Sequence, residues 1–251
     1  MSAIITKMPY SVRFLAITVC ALLLSGCAEY PSGGSSSASG AILNVTMTVS
    51  GQINPNYYYF VVFNNANDPH GTNGPEPVIA PPNGNGFVAG AATSYIEYST
   101  NQGGDGYLFY KFNGATLQSP TAVGAPSQDT PVSAGGNTIQ FQIPVSELAT
   151  STVSAGATNY IQVNFIAYSR LIISPDDTSS KDFDALGDTH PGTGQLNDYF
   201  TFPTTQNNTY SDSSVGNEPT GDEEVTNGSG GYSPVSDPDV DISGWSITVT
   251  N

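Results

Sequence analysis

Fourteen of the chain's 21 acidic side chains fall after residue 175, and they are the first residues whose types and spacing could do chemistry. They include Asp176-Asp177, the run Asp182-x-Asp184-x-x-x-Asp188, Asp222-Glu223-Glu224 and Asp237-Pro-Asp239-Val-Asp241. Calcium takes about six to eight oxygen ligands from carboxylates, carbonyls and water, and flexible loops supply them readily. Asp176, Asp177, Asp182, Asp184, Asp188, Asp237, Asp239 and Asp241 are therefore candidate Ca2+ ligands. The Asp-x-Asp spacing matches the opening of an EF-hand loop, but neither occurrence continues with the Gly and Glu that such a loop requires. The competing reading is a solvated sheet edge: in a strand, Asp239 and Asp241 point to one face and deter edge-to-edge aggregation.

Catalytic patterns are sparse. His70 and His190 are the two histidines, both in Gly/Pro-rich text (Asp68-Pro-His-Gly-Thr72 and Asp188-Thr-His-Pro-Gly192). No Gly-x-Ser-x-Gly elbow, His-Glu-x-x-His helix or Walker loop occurs. Glycoside hydrolysis needs only two carboxylates about 5–9.5 Å apart, which so acidic a chain permits without pointing to any one pair. Fourteen tyrosines raise a further possibility, a platform on which sugars stack. Tyr is also a favoured strand residue, so Tyr57, Tyr58, Tyr59, Tyr95, Tyr98, Tyr107 and Tyr110 read mostly as sheet packing. Tyr210 and Tyr232, in loop-like text, are the ligand-stacking candidates. The charge balance excludes one class outright. Five Lys and Arg against 21 Asp and Glu give −16, whereas a nucleic-acid binder needs cations on the phosphates.

The amino terminus sets the location. Lys7 and Arg13 precede an apolar run, Phe14 to Leu24, that is too short for the roughly 20 residues of a membrane-spanning helix. Leu24-Ser25-Gly26-Cys27 resembles the lipobox of bacterial lipoproteins. That resemblance implies a signal peptide at 1–26, removed by cleavage, and a lipidated Cys27 holding the protein to a bilayer in the bacterial cell envelope. Two or three acyl chains meet the two-signal requirement for stable anchoring. Ala28, where Asp commonly signals inner-membrane retention, favours the outer membrane in a host with two. Losing Lys7 and Arg13 takes the charge from −16 to −18. With Cys20 discarded and Cys27 acylated, the mature domain has no thiol for a disulfide, a nucleophile or a zinc site.

These groups must be positioned by strands. Residues 27–40 are a Gly/Ser-rich tether, and from residue 41 the hydrophobic period is two. Leu43, Val45, Met47 and Val49 alternate with polar residues; Tyr57–Phe63 is apolar on both faces and reads as a central strand. Ser94–Thr100, Tyr107–Phe112, Thr138–Ile143, Tyr160–Tyr168, Leu171–Ile173 and Tyr199–Phe202 follow. The last strand, Val240–Thr250, changes phase between Ile242 and Trp245, which predicts a β-bulge at Ser243-Gly244. Pro144–Leu148 fits one helical turn. The stretches 64–93 and 203–236 read as long loops inserted in a single domain, 41–251.

This pattern predicts an all-β fold, an antiparallel two-sheet β-sandwich of immunoglobulin-like or jelly-roll-like type with long acidic loops. Thr138-Ile-Gln-Phe-Gln-Ile-Pro-Val-Ser-Glu-Leu148 and Asp241-Ile-Ser-Gly-Trp-Ser-Ile-Thr-Val249 resemble segments of DOMON and family-nine carbohydrate-binding-module sandwiches. The resemblance implies the fold; with a single Trp the chain lacks that family's two-tryptophan sugar clamp. The expectation is a membrane-anchored, non-catalytic binding domain whose partner is a glycan or another envelope component. The alternatives are a secreted hydrolase with a carboxylate pair and a purely structural envelope protein.

Overall fold

Alternation produces the first strand. In the computed structural model, β1 (Ile42–Val49) buries Leu43, Val45, Met47 and Val49 and leaves the intervening residues half-exposed or exposed. The structure describes residues 40–78, 86, 88–100, 104–113, 117, 119–171, 179–186, 199–215, 223–226, 232–234 and 237–251. The expected signal peptide 1–26, Cys27 and nearly all of the expected tether lie outside them, as do most of Leu171–Ile173 and the residues Asp176, Asp177, Asp188 and His190.

Fifteen further strands follow among the described residues: β2 (Tyr58–Asn64), β3 (Pro75–Pro77), β4 (Val88–Gly90), β5 (Ser94–Tyr98), β6 (Tyr107–Phe112), β7 (Pro120–Gly124), β8 (Gln128–Thr130), β9 (Thr138–Pro144), β10 (Tyr160–Tyr168), β11 (Ser180–Ala185), β12 (Phe200–Pro203), β13 (Asn208–Ser211), β14 (Glu223–Thr226), β15 (Tyr232–Pro234) and β16 (Ile242–Thr250). All pair antiparallel. One sheet has the order β13-β16-β1-β9-β8, and the larger runs β15-β14-β11-β10-β2-β5-β6-β7, with β12 also on β10. Between them lies the main core. Ile139, Phe141 and Ile143 of β9 and Trp245, Ile247 and Val249 of β16 meet Tyr59, Val61 and Phe63 of β2 and Ile161, Val163, Phe165 and Ala167 of β10. The expected antiparallel sandwich is present, with β2 central and buried on both faces.

The phase switch in β16 is a bulge. Thr48 pairs with Gly244 and Val49 with Ile242, so Ser243 has no partner in β1. Val240 and Ile242 are thereby buried on the same side as Trp245, Ile247 and Val249, despite their opposite parity. The strand itself begins at Ile242, two residues later than the sequence predicts, because Asp237–Asp241 is tied into a turn described below.

Both supposed long loops contain strands. In 64–93 lies the β3–β4 hairpin. In 203–236, β13 extends the smaller sheet, β14 and β15 extend the larger one, and one helical turn, α1 (Asp212–Val215), follows β13. The segment 71–78 lies against the outer face of the larger sheet, held by side chains that the period of two points outward from β10. Gln162 Nε2 donates to Gly71 O (3.3 Å) and accepts at Oε1 from Asn64 Nδ2 (2.6 Å); Asn164 Nδ2 donates to Pro75 O (3.0 Å). Tyr168 OH accepts from Val78 N at 2.7 Å. Gly74 is required there, since an added Cβ falls 2.4 Å from the Tyr199 ring. Beside this segment Phe60, Val62, Val88, Tyr95, Ile166, Phe183 and Ala185 form a second core. This layer makes the architecture thicker than two bare sheets, and it leaves the ends of the sandwich as the places where polar groups collect.

Candidate ligand-binding cleft

At one end of the sandwich the expected calcium ligands are engaged with the protein itself. Asp237 Oδ1 accepts from Asp239 N (3.1 Å), its carbonyl accepts from Val240 N and Asp241 N, and its Oδ2 accepts from the Tyr57 hydroxyl (2.8 Å). Asp239 Oδ1 accepts from Gln52 N (2.8 Å) and Oδ2 from Asn54 Nδ2 (3.2 Å), while its carbonyl accepts from Tyr59 OH (2.8 Å). The Asp-x-Asp-x-Asp turn is thus a clasp on the β1–β2 connection. Gly51 lets the two chains touch: an added Cβ lies 2.4 Å from Asp239 Oδ1 and 2.7 Å from the Pro238 carbonyl carbon. Burial and the hydrogen bond to Asp237 push the Tyr57 phenol up to about 12, helped by the charges of Asp237, Asp182 and Asp239.

Asp184 sits inside. It is 3% exposed, and its two oxygens accept from Ala185 N (2.8 Å) and from Ile242 N (2.7 Å), stapling β11 to β16 across the core. Asp182 is half-buried opposite Glu224 in the β11–β14 ladder. The Asp241 carbonyl accepts from Ser50 N at 2.8 Å. Among the described residues no three of His, Cys, Asp and Glu come together as a metal site.

The tyrosines are also packed. Tyr59, Tyr95, Tyr98 and Tyr107 are buried. Tyr57, Tyr58 and Tyr110 are half-buried and lie against the two cores. Tyr210 is not in a loop: it pairs with Ile247 in β13, and its ring lies 5.3 Å from Phe200 and 5.7 Å from Phe202. Tyr232 belongs to β15, opposite Val225, and its side chain is outside the described set. His70 is exposed, its backbone N–H held by Asp68 Oδ1.

The opposite end of the sandwich is different. There the inward-facing rows of three neighbouring strands stop being apolar at the same level. The row Tyr59, Val61, Phe63 continues to Asn65; Tyr98 and Ile96 lead to Ser94; Tyr107 and Phe109 lead to Lys111. Register brings them together, since Phe63 pairs with Ser94 and Ser94 with Lys111. Beside them opens a cleft of about 470 Å³, lined by Thr93, Lys111, Phe112, Asn113, Ala149, Thr150, Ser151 and Thr152. Its volume lies within the roughly 300–1,000 Å³ of small-ligand pockets.

Its walls are held by local hydrogen bonds. Thr150 Oγ1 accepts from Thr152 N (3.2 Å) and Val153 N (2.9 Å), and Thr150 N donates to Val153 O (2.9 Å), which fixes the turn after β9. Asn113 Nδ2 donates to Thr121 Oγ1 at 2.6 Å. Thr93 Oγ1 donates to Phe63 O (3.2 Å) and accepts from Asn65 N (3.0 Å). Lys111 Nζ donates to Ala149 O at 3.3 Å and stands 5.8 Å from the centre of the Phe109 ring. Behind this wall are Asn65 Oδ1 and Ser94 Oγ, the two fully buried side-chain oxygens that have no hydrogen-bond partner among the described residues. A buried polar atom left unpaired costs about 1–3 kcal/mol, which makes these two oxygens the costly polar groups of the described residues at this end of the sandwich.

The sequence reading did not pick out this cleft. Its signal is a polar residue at the end of each alternating row, which in a sequence looks like an ordinary strand end. Compared with protein-family models, with curated proteins and with solved structures, the chain has no match.

Proposed function

We propose that the mature protein is a lipid-anchored, extracytoplasmic binding module, non-catalytic, which takes part of a carbohydrate into the cleft beside Lys111. The observation that carries this reading is the composition of that cleft. Four hydroxyl side chains, one amide, one ammonium and the edge of Phe112 line it, and convergent polar groups around an apolar surface suit a ligand that is itself a ring covered with hydroxyls. The described lining residues are hydroxyl, amide, ammonium and apolar groups and do not include the carboxylate pair that glycoside hydrolysis uses, which supports binding over turnover. The lipobox-like Leu24-Ser25-Gly26-Cys27 supports the anchor, and the Gly/Ser-rich residues after it give the domain reach from the bilayer.

The test is a glycan array probed with the whole chain in nonionic detergent, followed by incubation of every hit to look for shortened products. Binding without cleavage, abolished by filling the cleft with Thr150→Trp, is the expected result. Cleavage lost on one Asp→Asn change moves the protein to the hydrolases. Failure to bind any glycan leaves the structural envelope role.

A further inference from the structure

Resting on the carbohydrate reading of the cleft, we infer that the sugar it takes carries a carboxylate and that Lys111 is the group that holds it. The mature chain has three cations, Lys111, Arg170 and Lys181, against 21 acids. In such a chain an ammonium would be expected beside one of many carboxylates. Lys111 instead makes one hydrogen bond, to a backbone carbonyl, and no ion pair among the described residues. Two of its three N–H donors are therefore left for something else. Among the described residues it is also the one charged side chain in the lining. A cation with spare donors, in a cleft with no acidic side chain among its described lining residues, is complementary to a single anionic group.

The other lining groups say what else that ligand bears. Thr93, Ser151 and Thr152 are hydroxyls, and Asn113 offers an amide. Hydroxyls and amides both donate and accept, which matches the hydroxyls of a sugar ring better than the all-acceptor surface of a phosphate or sulfate. Half-buried Lys111 closes the inward row of β6, and its ammonium is placed by the hydrogen bond to Ala149 O and stands 5.8 Å from the centre of the Phe109 ring. Little ordering is left to do when a carboxylate arrives. Hydrogen bonds to a charged partner are roughly twice as strong as those between neutral groups.

The experiment compares uronic-acid oligomers (of galacturonate, glucuronate and mannuronate) with their methyl esters, which keep the ring and its hydroxyls but lose the charge. Binding to the whole chain in nonionic detergent is measured by calorimetry at physiological ionic strength. The expected result is that at least one acid binds about tenfold or more tightly than its ester, a difference of about 1.4 kcal/mol. Lys111→Met should remove that preference and Lys111→Arg should retain it, with the emission of Trp245 reporting that each variant is folded. An acid and its ester that bind equally overturn the inference, and so does a preference that survives Lys111→Met. In both cases binding persists and the carbohydrate reading stands. If neutral and acidic sugars alike fail to bind, the carbohydrate reading itself has failed, and the assignment of Lys111 falls with it.

Discussion

Replacing Lys181 by Met removes a buried charge that the fold tolerates poorly. Lys181 is 2% exposed, points outward from β11 under the 71–78 segment, donates through Nζ to Val78 O and lies 4.1 Å from the centre of the Tyr168 ring. Burial pulls its ammonium from an ordinary 10.5 down to about 7. The unfolded chain therefore takes a proton that the folded chain refuses between those two values. Above 10.5 the lysine is neutral in both states and carries no penalty. As pH falls the penalty grows, and below about 7 it is complete at about 5 kcal/mol, from 1.36 kcal/mol for each pH unit of the shift. Between pH 7.5 and 9.5 the wild type should gain about 2–3 kcal/mol of stability relative to Lys181→Met. For a chain of this size that is roughly 5–10 °C in melting temperature. The variant also leaves Val78 O without its donor, at a cost of about 1–3 kcal/mol, but that term does not vary with pH and shifts the curve without changing its slope. Tyr59, Tyr95, Tyr107 and Tyr168 are held neutral well above their ordinary range by burial, so their effect begins above pH 10 and is common to both proteins. Urea unfolding at pH 7.5, 8.5 and 9.5, followed by the fluorescence of the single tryptophan, measures the difference. Parallel curves across that range would refute the reasoning, because they require Lys181 to titrate alike in the folded and unfolded chains.

Asp239→Ala removes the acceptors for Gln52 N and Asn54 Nδ2 and should cost about 1–2 kcal/mol in urea unfolding. Gly51→Ala drives a Cβ into Asp239 and the Pro238 backbone and should cost about 1–3 kcal/mol through the same clasp. Deleting Ser243 removes the bulge, turning one half of the β16 apolar row to the wrong face; loss of a cooperative melting transition is expected, whereas Ser243→Ala, at an exposed position, should stay within about 0.5 kcal/mol of wild type. Cys27→Ser should release the protein from the membrane fraction, with an unmodified N-terminal peptide by mass spectrometry.

Strands with one apolar face were legible in the sequence because their two faces differ in kind. β1, β9 and β10 bury the residues that alternation selects, and even the parity change in β16 could be read as one extra residue. β7 and β8 were missed because edge position leaves them without a buried row; Thr121, Ala122 and Val123 are all exposed. β11 was missed for the opposite reason. Its Asp184 faces the core and its Lys181 the outer layer, both buried, so the strand reads as a run of charge. Acids that are crowded in the sequence act, at Asp184, Asp237 and Asp239, as acceptors for backbone and side-chain donors. The cleft was illegible because Ser94 and Lys111 lie on two strands and Asn65 just past the end of a third, β2, and register alone brings these strand ends together.

The placement of the cations bears on how so acidic a protein could discriminate among ligands. Lys111 and Lys181 both donate to backbone carbonyls, Ala149 O and Val78 O, and neither neutralises the acidic exterior. With a net charge of −16, the long-range field of the chain is accordingly that of its carboxylates, which keeps copies apart and repels extended polyanions. That field fades beyond about 8 Å at physiological ionic strength, whereas a hydrogen-bonded ion pair in a half-enclosed cleft is screened much less. A short acidic ligand is therefore repelled weakly on approach and held locally once it reaches Lys111. A polyanion that needs many surface cations has few to meet, with five Lys and Arg against 21 Asp and Glu in the sequence. One cation kept off the acidic surface gives the cleft a selectivity that the same cation, paired with a surface carboxylate, could not supply.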